Sequence, residues 1–572
     1  MRMRGSKLVR AFQASKLRPK VRALVKSIWG GQRVWDWLGQ SLAPYTIYPI
    51  QIPAMEFLPG QDLILLELPQ RYMPTMPNGL GYVHNILKTT GLRFQTVDVN
   101  ILCYHRYHSR RILNGLAKVV APNGHVMPED PWDNTNTEEW FKPEAVEYFR
   151  PEMNEVITGL IAARPKILGI SLNGSNRVFA REVVKGVRAE LPDVPIVVGG
   201  YDCVYPHVAP RLFPYADYMV IGEAEMTLPP LVKALVAGGR PKDLPGILSR
   251  YDSPGRAWVP GPALQDLDAI DFPRYDWIDL GLYRDHQGYR LTPITATRGC
   301  RWSRCTFCAE CFPWRKRDPK KVADEFEWLV ERGSHDFHFN ESDINGDPDA
   351  LLAICDEIIR RKLNVSLCGQ LRVDRRGTRE FFDRLRAAGC TALRFGVDGW
   401  TDHTLRLQRK GYNMRLVQEN LRHCHDAGIR VAVNLVLGVP GETEDDVQDI
   451  IANFLRNKGS IDLVESLNTL ILVAGSEYYR NPDRHEIRFR GDKAEIYQKH
   501  PHAIPPELWY SEDPYIDHEV RAKRLKAVYT GLTQGGIPVC GFAKGVVERI
   551  LEDHGSYGLD MLESRQPKPS SP

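Results

Sequence analysis

Four of the eleven cysteines fall between positions 300 and 311. Cys300, Cys305 and Cys308 stand as C-x4-C-x2-C in the stretch Thr297-Arg-Gly-Cys-Arg-Trp-Ser-Arg-Cys-Thr-Phe-Cys308, and Cys311 follows. Compact thiolate spacing in one loop suits an iron–sulfur cluster or zinc. All four thiolates together would satisfy a structural zinc tetrahedrally, as in a zinc-stabilised binding protein. Three leave one iron of a four-iron cluster without a protein ligand, an open site that chemistry can use. A disulfide framework would instead spread cysteine pairs through a small secreted domain, so the pattern reads as metal chemistry in a reducing cytoplasm.

The elements that must position these thiolates read as α/β throughout. Between 60 and 250, apolar runs at 63–68, 94–101, 167–172, 196–198 and 218–221 alternate with helical stretches at 78–90, 178–191 and 227–237. A polar, aromatic-rich insertion interrupts them at roughly 104–150. Strands separated by helices of this length imply a parallel sheet covered on both faces. Such sheets bind ligands beyond the carboxyl ends of their strands. The residues expected there are Ser171, Asn173, Gly199, Gly200, Gly222 and Glu223.

A Pro- and Asp-rich linker at 251–285 leads into a second series of strands at 293–297, 336–339, 364–368, 392–397, 430–437 and 467–473. The intervening helices show i, i+3, i+4 apolar spacing, as in Val322, Phe326, Leu329 and Val330. Six strand–helix units predict a partial (β/α)6 barrel at 286–485, with the cysteine loop after its first strand, where barrels place active sites. A mainly helical region follows at 486–572, with one clear helix at 517–531 and a Pro/Ser tail. Its Trp509, Tyr510, Tyr515 and Asp517 either close over the barrel mouth or pack against it. Residues 1–50 form a basic arm, with a possible amphipathic helix at 17–37.

Composition excludes several classes. With 75 Lys and Arg against 71 Asp and Glu, the net charge of +4 lacks the basic excess of a dedicated nucleic-acid binder. At 43% hydrophobic residues there is ample apolar surface for cores, which argues against extensive disorder. No run approaches the ~18 apolar residues of a membrane span. No apolar run and cleavage site follow the basic N-terminus, so the expected location is cytoplasmic.

The stretch 294–308 resembles the radical S-adenosylmethionine signature, with aromatic Phe307 before the last cysteine. The common spacing there is C-x3-C-x2-C; the longer first gap also occurs in cobalamin-type members. Four further segments resemble the family in order. In Phe339-Asn-Glu-Ser-Asp-Ile-Asn-Gly346, Glu341 matches the carboxylate that meets the amino group of S-adenosylmethionine. Gln370 and Arg372 resemble positions lining the cofactor site. Phe395-Gly-Val-Asp-Gly399 resembles a Gly-Ile-Glu-Ser turn, with Asp398 for Glu and Gly399 for Ser. Leu437-Gly-Val-Pro-Gly-Glu-Thr443 resembles the turn after the fifth strand, placing Pro440 at the site.

Residues 51–250 resemble the Rossmann-like cobalamin-binding domain that precedes the barrel in one branch of this superfamily. The resemblance rests on Pro77-Asn-Gly-Leu80, Ser171-Leu-Asn173, Gly199-Gly200 and Gly222-Glu-Ala-Glu225. No Asp-x-His-x-x-Gly motif is present, so cobalt is expected to lack a histidine ligand, with His105, His108 and His207 as lone neighbours. The resemblance implies a [4Fe–4S] cluster on Cys300, Cys305 and Cys308, S-adenosylmethionine, cobalamin and an electron donor such as flavodoxin or ferredoxin. The implied activity is transfer of a methyl from methylcobalamin to an unactivated carbon, less often phosphorus, of a small-molecule or peptide substrate. A cyclase or rearrangement enzyme is the alternative within the superfamily.

Overall fold

The computed structural model describes residues 50–552, apart from 72, 74, 116–117 and 286–287. The amphipathic helix expected at 17–37 and the Pro/Ser tail lie outside the described residues. Two six-stranded sheets organise the chain. The first contains β1 (Leu63–Glu67), β2 (Phe94–Asp98), β3 (Ile167–Leu172), β4 (Ile196–Gly200), β5 (Tyr218–Val220) and β6 (Ile247–Ser249), in the order β2-β1-β3-β4-β5-β6. Its first five strands are parallel and β6 returns antiparallel. The sheet is covered on both faces, as the continuous burial of β1 requires.

The expected second strand was too long. Asp98 ends β2 and accepts the Ile101 amide at 2.9 Å, so helix α1 (Val99–Leu113) begins without a loop. The insertion is also less polar than its composition suggests. Trp132, Trp140 and Phe149 are buried, with Trp140 stacked on Phe149 at 4.8 Å. The indole N–H groups of Trp132 and Trp140 donate to Asn100 Oδ1 and the Pro131 carbonyl, both at 2.7 Å. These contacts make the insertion an extension of the first core. The stretch expected as a linker lies against that core too: Tyr275 and Tyr283 are buried, and the Tyr283 hydroxyl donates to Asp98 at 2.7 Å.

The second sheet begins at β7 (Thr292–Ile294). Two short strands, β8 (Thr297–Arg298) and β9 (Arg315–Lys316), pair antiparallel and close the base of the cysteine loop. Then come β10 (Asp336–Phe339), β11 (Ser366–Leu371), β12 (Cys390–Asp398), β13 (Arg430–Leu437) and β14 (Leu463–Thr469). Strands β7 and β10–β14 are all parallel, in the order β14-β13-β12-β11-β10-β7, which makes the partial barrel. The last strand ends at Thr469 rather than running on to 473; Leu472–Val473 pairs instead with Ala503–Ile504.

The C-terminal region completes the barrel. Helix α2 (His518–Gln534) packs on the barrel, and Val539 bridges Val464 of β14. Trp509 is fully buried under the Arg521 guanidinium, 3.6 Å from its ring centroid, so this aromatic packs rather than lining a mouth. Asp517 caps α2 by accepting the Val520 amide. Among the described residues, no helix is long and apolar enough to cross a membrane.

Candidate functional site

The cysteine loop leaves β8 and returns on β9, at the carboxyl end of the first barrel strand. The Cys308 thiol is pushed up to about 11, chiefly by desolvation of its sulfur although the residue as a whole is exposed, and Cys305 and Cys300 are near enough to raise it further. Cys300 Sγ lies 3.7 Å from Asp343, and Cys305 Sγ lies 4.0 Å from Arg372. Cys311 is exposed and faces Tyr205 across the domain boundary. Among the described residues no three His, Cys, Asp or Glu side chains converge as a single metal ion requires. The thiolates of a four-iron cluster stand further apart, round a cube.

Glu341 has a divided role. Its Oε1 accepts the amides of Ala296 and Thr297, the latter at 2.6 Å, and so ties the end of β10 to the start of the cysteine loop. Its Oε2 is buried with no hydrogen-bond partner. Burial pushes this carboxyl up to about 7, against the lowering effect of the two amides.

Asp398 ends β12 with φ 61° and accepts Lys410 Nζ at 2.7 Å. Lys410 is buried, its charge sustained by Asp398, and its ammonium sits 5.6 Å from the Phe307 ring centroid. Arg372 donates to the Lys410 carbonyl at 2.6 Å. Gln370 lies one strand in, on β11 beside Arg394 of β12. Glycine at 399 has a structural reason, since a Cβ there would meet the Leu405 amide nitrogen at 2.9 Å. Pro440 is buried in a turn held by Glu442, which accepts the Gly438 amide at 2.9 Å and Arg524 of α2 at 3.1 Å. That turn is therefore a clamp on the C-terminal helix.

A cavity of about 390 Å³ runs between the two domains. Its apolar wall comes from the first sheet, including Leu63, Leu65, Val197 and Val220. Ser171, Gly199, Gly200, Gly222, Glu223 and Glu341 all line it, but Asn173 does not. Asn173 caps the turn that follows β3, accepting the Ser175 amide. Gly199 leaves open space, its nearest neighbour being Val220 at 3.7 Å from an added Cβ. Gly200 is different: φ is 103°, and a Cβ would meet the Leu172 carbonyl at 2.6 Å. Its glycine is demanded by the sheet itself.

Glu223 joins the domains. Arg315 grips it through two hydrogen bonds of 2.8 and 2.5 Å, and Arg298 adds a longer contact of 3.4 Å. Burial would raise this carboxyl, but the Arg315 pair outweighs it and holds it below the usual carboxylate range. His105 and His108 are buried in the core of the first domain, His105 bonded to the Leu282 carbonyl at 2.6 Å, and neither lines the cavity. Lys410, Asp343, Arg298 and Arg315 escaped the reading of the sequence. Asp343 and Arg298 stand within quoted segments, but Arg315 and Lys410 have no local signature; only folding brings them to the site.

Residues 294–453 match the model of the Radical SAM superfamily. The chain carries a radical S-adenosylmethionine domain. It is 29% identical over 47% of its length to an anaerobic magnesium-protoporphyrin IX monomethyl ester cyclase of Synechocystis, covering 55% of that protein. It is 25% identical over 52% of its length to a tryptophan 2-C-methyltransferase of Streptomyces laurentii, covering 61% of that protein. The matched part thus spans less than two thirds of these curated relatives. The fold is shared with TsrM, a radical S-adenosylmethionine methyltransferase of Kitasatospora setae solved with cobalamin and a [4Fe–4S] cluster bound. The TM-score is 0.56 at 20% identity, over 76% of this chain and 78% of that one.

The residues present fit the groups that a radical S-adenosylmethionine domain implies. Three grouped thiols suit the cluster. Glu341 Oε2, Asn78 Oδ1 and Thr297 Oγ1 are buried, lack partners among the described residues and belong to residues lining the cavity. Such orphaned acceptors are costly unless a ligand satisfies them.

Proposed function

We propose that the chain is a cobalamin-dependent radical S-adenosylmethionine methyltransferase acting on an unactivated carbon of a small molecule or peptide. The observation that carries this reading is the single cavity walled on one side by the first sheet and on the other by the loops after β7 and β10. It would bring a group held by the first domain up to the radical site. When bound, the cluster with S-adenosylmethionine supplies a 5′-deoxyadenosyl radical, and cobalamin supplies a transferable methyl.

The chain's own residues bind, orient and exclude water. Cys300, Cys305 and Cys308 would hold the cluster, leaving one iron free. Glu341 Oε2, buried and without a partner, would accept from the amino group of S-adenosylmethionine. Arg372 reaches Cys305, and Lys410, beside the Phe307 ring, feels its charge, so these residues would set charge and packing beside the cluster. Gly199 and Gly222 leave the strand ends bare for a corrin and its nucleotide tail. Leu63, Leu65, Val197 and Val220 keep the slot dry. The absent Asp-x-His-x-x-Gly motif and the sequestered His105 and His108 support cobalt without a histidine ligand.

A non-methylating cyclase is the second reading, favoured by the 29% identity to the Synechocystis cyclase. Anaerobic turnover with methyl-labelled S-adenosylmethionine and candidate substrates separates the two. A labelled methyl in the product supports the methyltransferase. Deoxyadenosine formed with an unlabelled, rearranged product overturns it in favour of the cyclase.

A further inference from the structure

The second sheet has two unlike faces. Phe337, Leu367, Phe395 and Val433 are buried in the core beneath the helices. The residues that alternate with them point to the concave face and are half-buried: His338, Cys368, Gln370, Arg394 and Asn434. Barrels normally fill this space with layers of branched apolar side chains. Here the middle of the lumen is polar, so it is built to receive a ligand and not to serve as a core. The remaining charges of this face sit at its ends. Asp336 and Arg430 stand at the feet of β10 and β13. At the top, Asp398 is paired with Lys410 and Arg372 is turned onto the Trp302 ring.

An ion pair crosses the lumen. Arg394 of β12 donates from Nη1 to Glu465 Oε1 of β14 at 2.8 Å, over Ala432 of the strand between them. Both side chains stay open, 34% and 40% exposed, and among the described residues neither makes another hydrogen bond. Arg394 therefore keeps a free edge of its fork and Glu465 a free oxygen. The groups around the pair are also unsatisfied. Among the described residues the His338 ring and the Gln370 amide have no hydrogen-bond partner, and Asn434 Oδ1 is buried without one. Burial, with the Arg394 charge, pushes the His338 imidazole down to about 4, so it is neutral at pH 7. The lumen is continuous with the site above it. Asn340 lines the cavity, and His338 lies two residues below on the same face of β10. Gly396 puts no side chain between the Gln370 amide and Asp398; an added Cβ would meet both, at 3.7 and 3.6 Å.

We propose that the Arg394–Glu465 pair selects the head of the substrate and that this head is a free α-amino acid. The inference rests on the radical reading above and narrows its substrate to a small molecule ending in that group. In such a head the ammonium and carboxylate are adjacent, as are the two protein charges. The two dipoles lie antiparallel, the ligand carboxylate on the open edge of Arg394 and the ammonium on the second Glu465 oxygen, each a charge-assisted hydrogen bond. A ligand of one net charge would meet one like-charged partner. An uncharged ligand would desolvate the pair without compensation. In a peptide the two termini stand too far apart to face one ion pair. Arg394 lies four residues below Asp398, about 13 Å at the usual strand rise. The side chain of the bound amino acid would point up toward the cavity, and it must be long to reach it.

The test uses the full chain, reconstituted with iron and sulfide, and the twenty L-amino acids as probes. Binding is measured by equilibrium dialysis in the presence of S-adenosylmethionine. At least one aromatic or long-chain amino acid should bind. Its N-acetyl derivative, which lacks the ammonium, and its amide, which lacks the carboxylate, should each bind at least tenfold more weakly. Glu465→Gln should erase the penalty for acetylation and keep that for amidation; Arg394→Gln should do the reverse. Arg394→Lys, which keeps the charge, should retain both penalties. Each penalty is a ratio taken within one protein, and iron content shows that the variant is folded round its cluster. Binding by none of the twenty overturns the proposal. So do penalties unchanged in both neutral variants, which would make the pair a brace between β12 and β14. Deoxyadenosine formation by the wild type with dithionite is measured alongside. Its absence would sink the radical reading, and with it the assignment of the bound amino acid as substrate, by a route that the binding ratios distinguish.

Discussion

Glu341 accepts the Thr297 amide at 2.6 Å through Oε1 while its Oε2 is left buried and unpartnered beside the cavity. One carboxylate thus anchors the cysteine loop and presents an acceptor to a ligand. In Glu341→Gln the side-chain oxygen can still accept the loop amides, so iron content should be preserved. The second position becomes a donor facing an amino group. Affinity for S-adenosylmethionine should fall about ten- to a hundredfold, the loss of a charge-assisted hydrogen bond. Equilibrium binding to reconstituted protein checks this, and unchanged affinity would leave Glu341 a loop anchor only.

The same carboxyl gives a pH dependence. Burial raises it to about 7, so in the empty site it is largely protonated below that pH and ionised above. An amino group favours the ionised form. Binding should therefore strengthen as pH rises through about 7 and level off beyond it. The rise should vanish in Glu341→Gln. A wild-type affinity that is flat from pH 6 to 8 would contradict the assignment.

The thiolates should separate into three and one. Cys300→Ala, Cys305→Ala and Cys308→Ala should each lose the cluster absorbance and reductive cleavage. Cys311→Ala should retain both, because Cys311 stands outside the C-x4-C-x2-C run and turns toward Tyr205. Iron content and visible spectra of anaerobically prepared protein decide this. Equal loss on removing Cys311 would point to four ligands and no open iron.

Two adjacent glycines should behave differently. At Gly199 a side chain has room, so Gly199→Leu should fill the cavity and block cobalamin uptake while iron content is kept. Gly200→Ala should instead destabilise the first domain, since its Cβ would meet the Leu172 carbonyl at 2.6 Å with φ at 103°. Cobalamin titration and thermal unfolding of both variants measure the contrast. Full cobalamin binding by Gly199→Leu would remove the corrin from this cavity.

The Glu223–Arg315 pair should hold the domains together. Glu223→Gln leaves a buried guanidinium without its carboxylate and should cost about 3 kcal/mol, measured by denaturant unfolding. Because the folded pKa lies below the ordinary glutamate value of 4.5, the contribution is complete above that value. It is lost as pH falls through the lower folded value. A variant as stable as the wild type at neutral pH would show the pair to be dispensable.

The sequence by itself determined the rhythm of elements and the cluster motif. Apolar runs such as Leu63–Leu66 read as buried strands, and three cysteines within nine residues carry their geometry locally. Strand ends were legible where a glycine or polar residue closes an apolar run, as at Gly199 and Glu341. They failed where a side chain chose between strand and helix, as Asp98 did by capping α1 inside an apolar stretch. Asn173 looked like a ligand contact because its position in the chain says nothing about the turn it caps. Only the tertiary structure decided that 275–283 packs on the first core, that α2 clamps the Gly438 turn, and that Lys410 and Arg372 flank Cys305. The same holds for the Glu223–Arg315 pair, whose partners lie 92 residues apart. Contacts at such separations depend on how whole elements pack, and no local spacing or propensity encodes them.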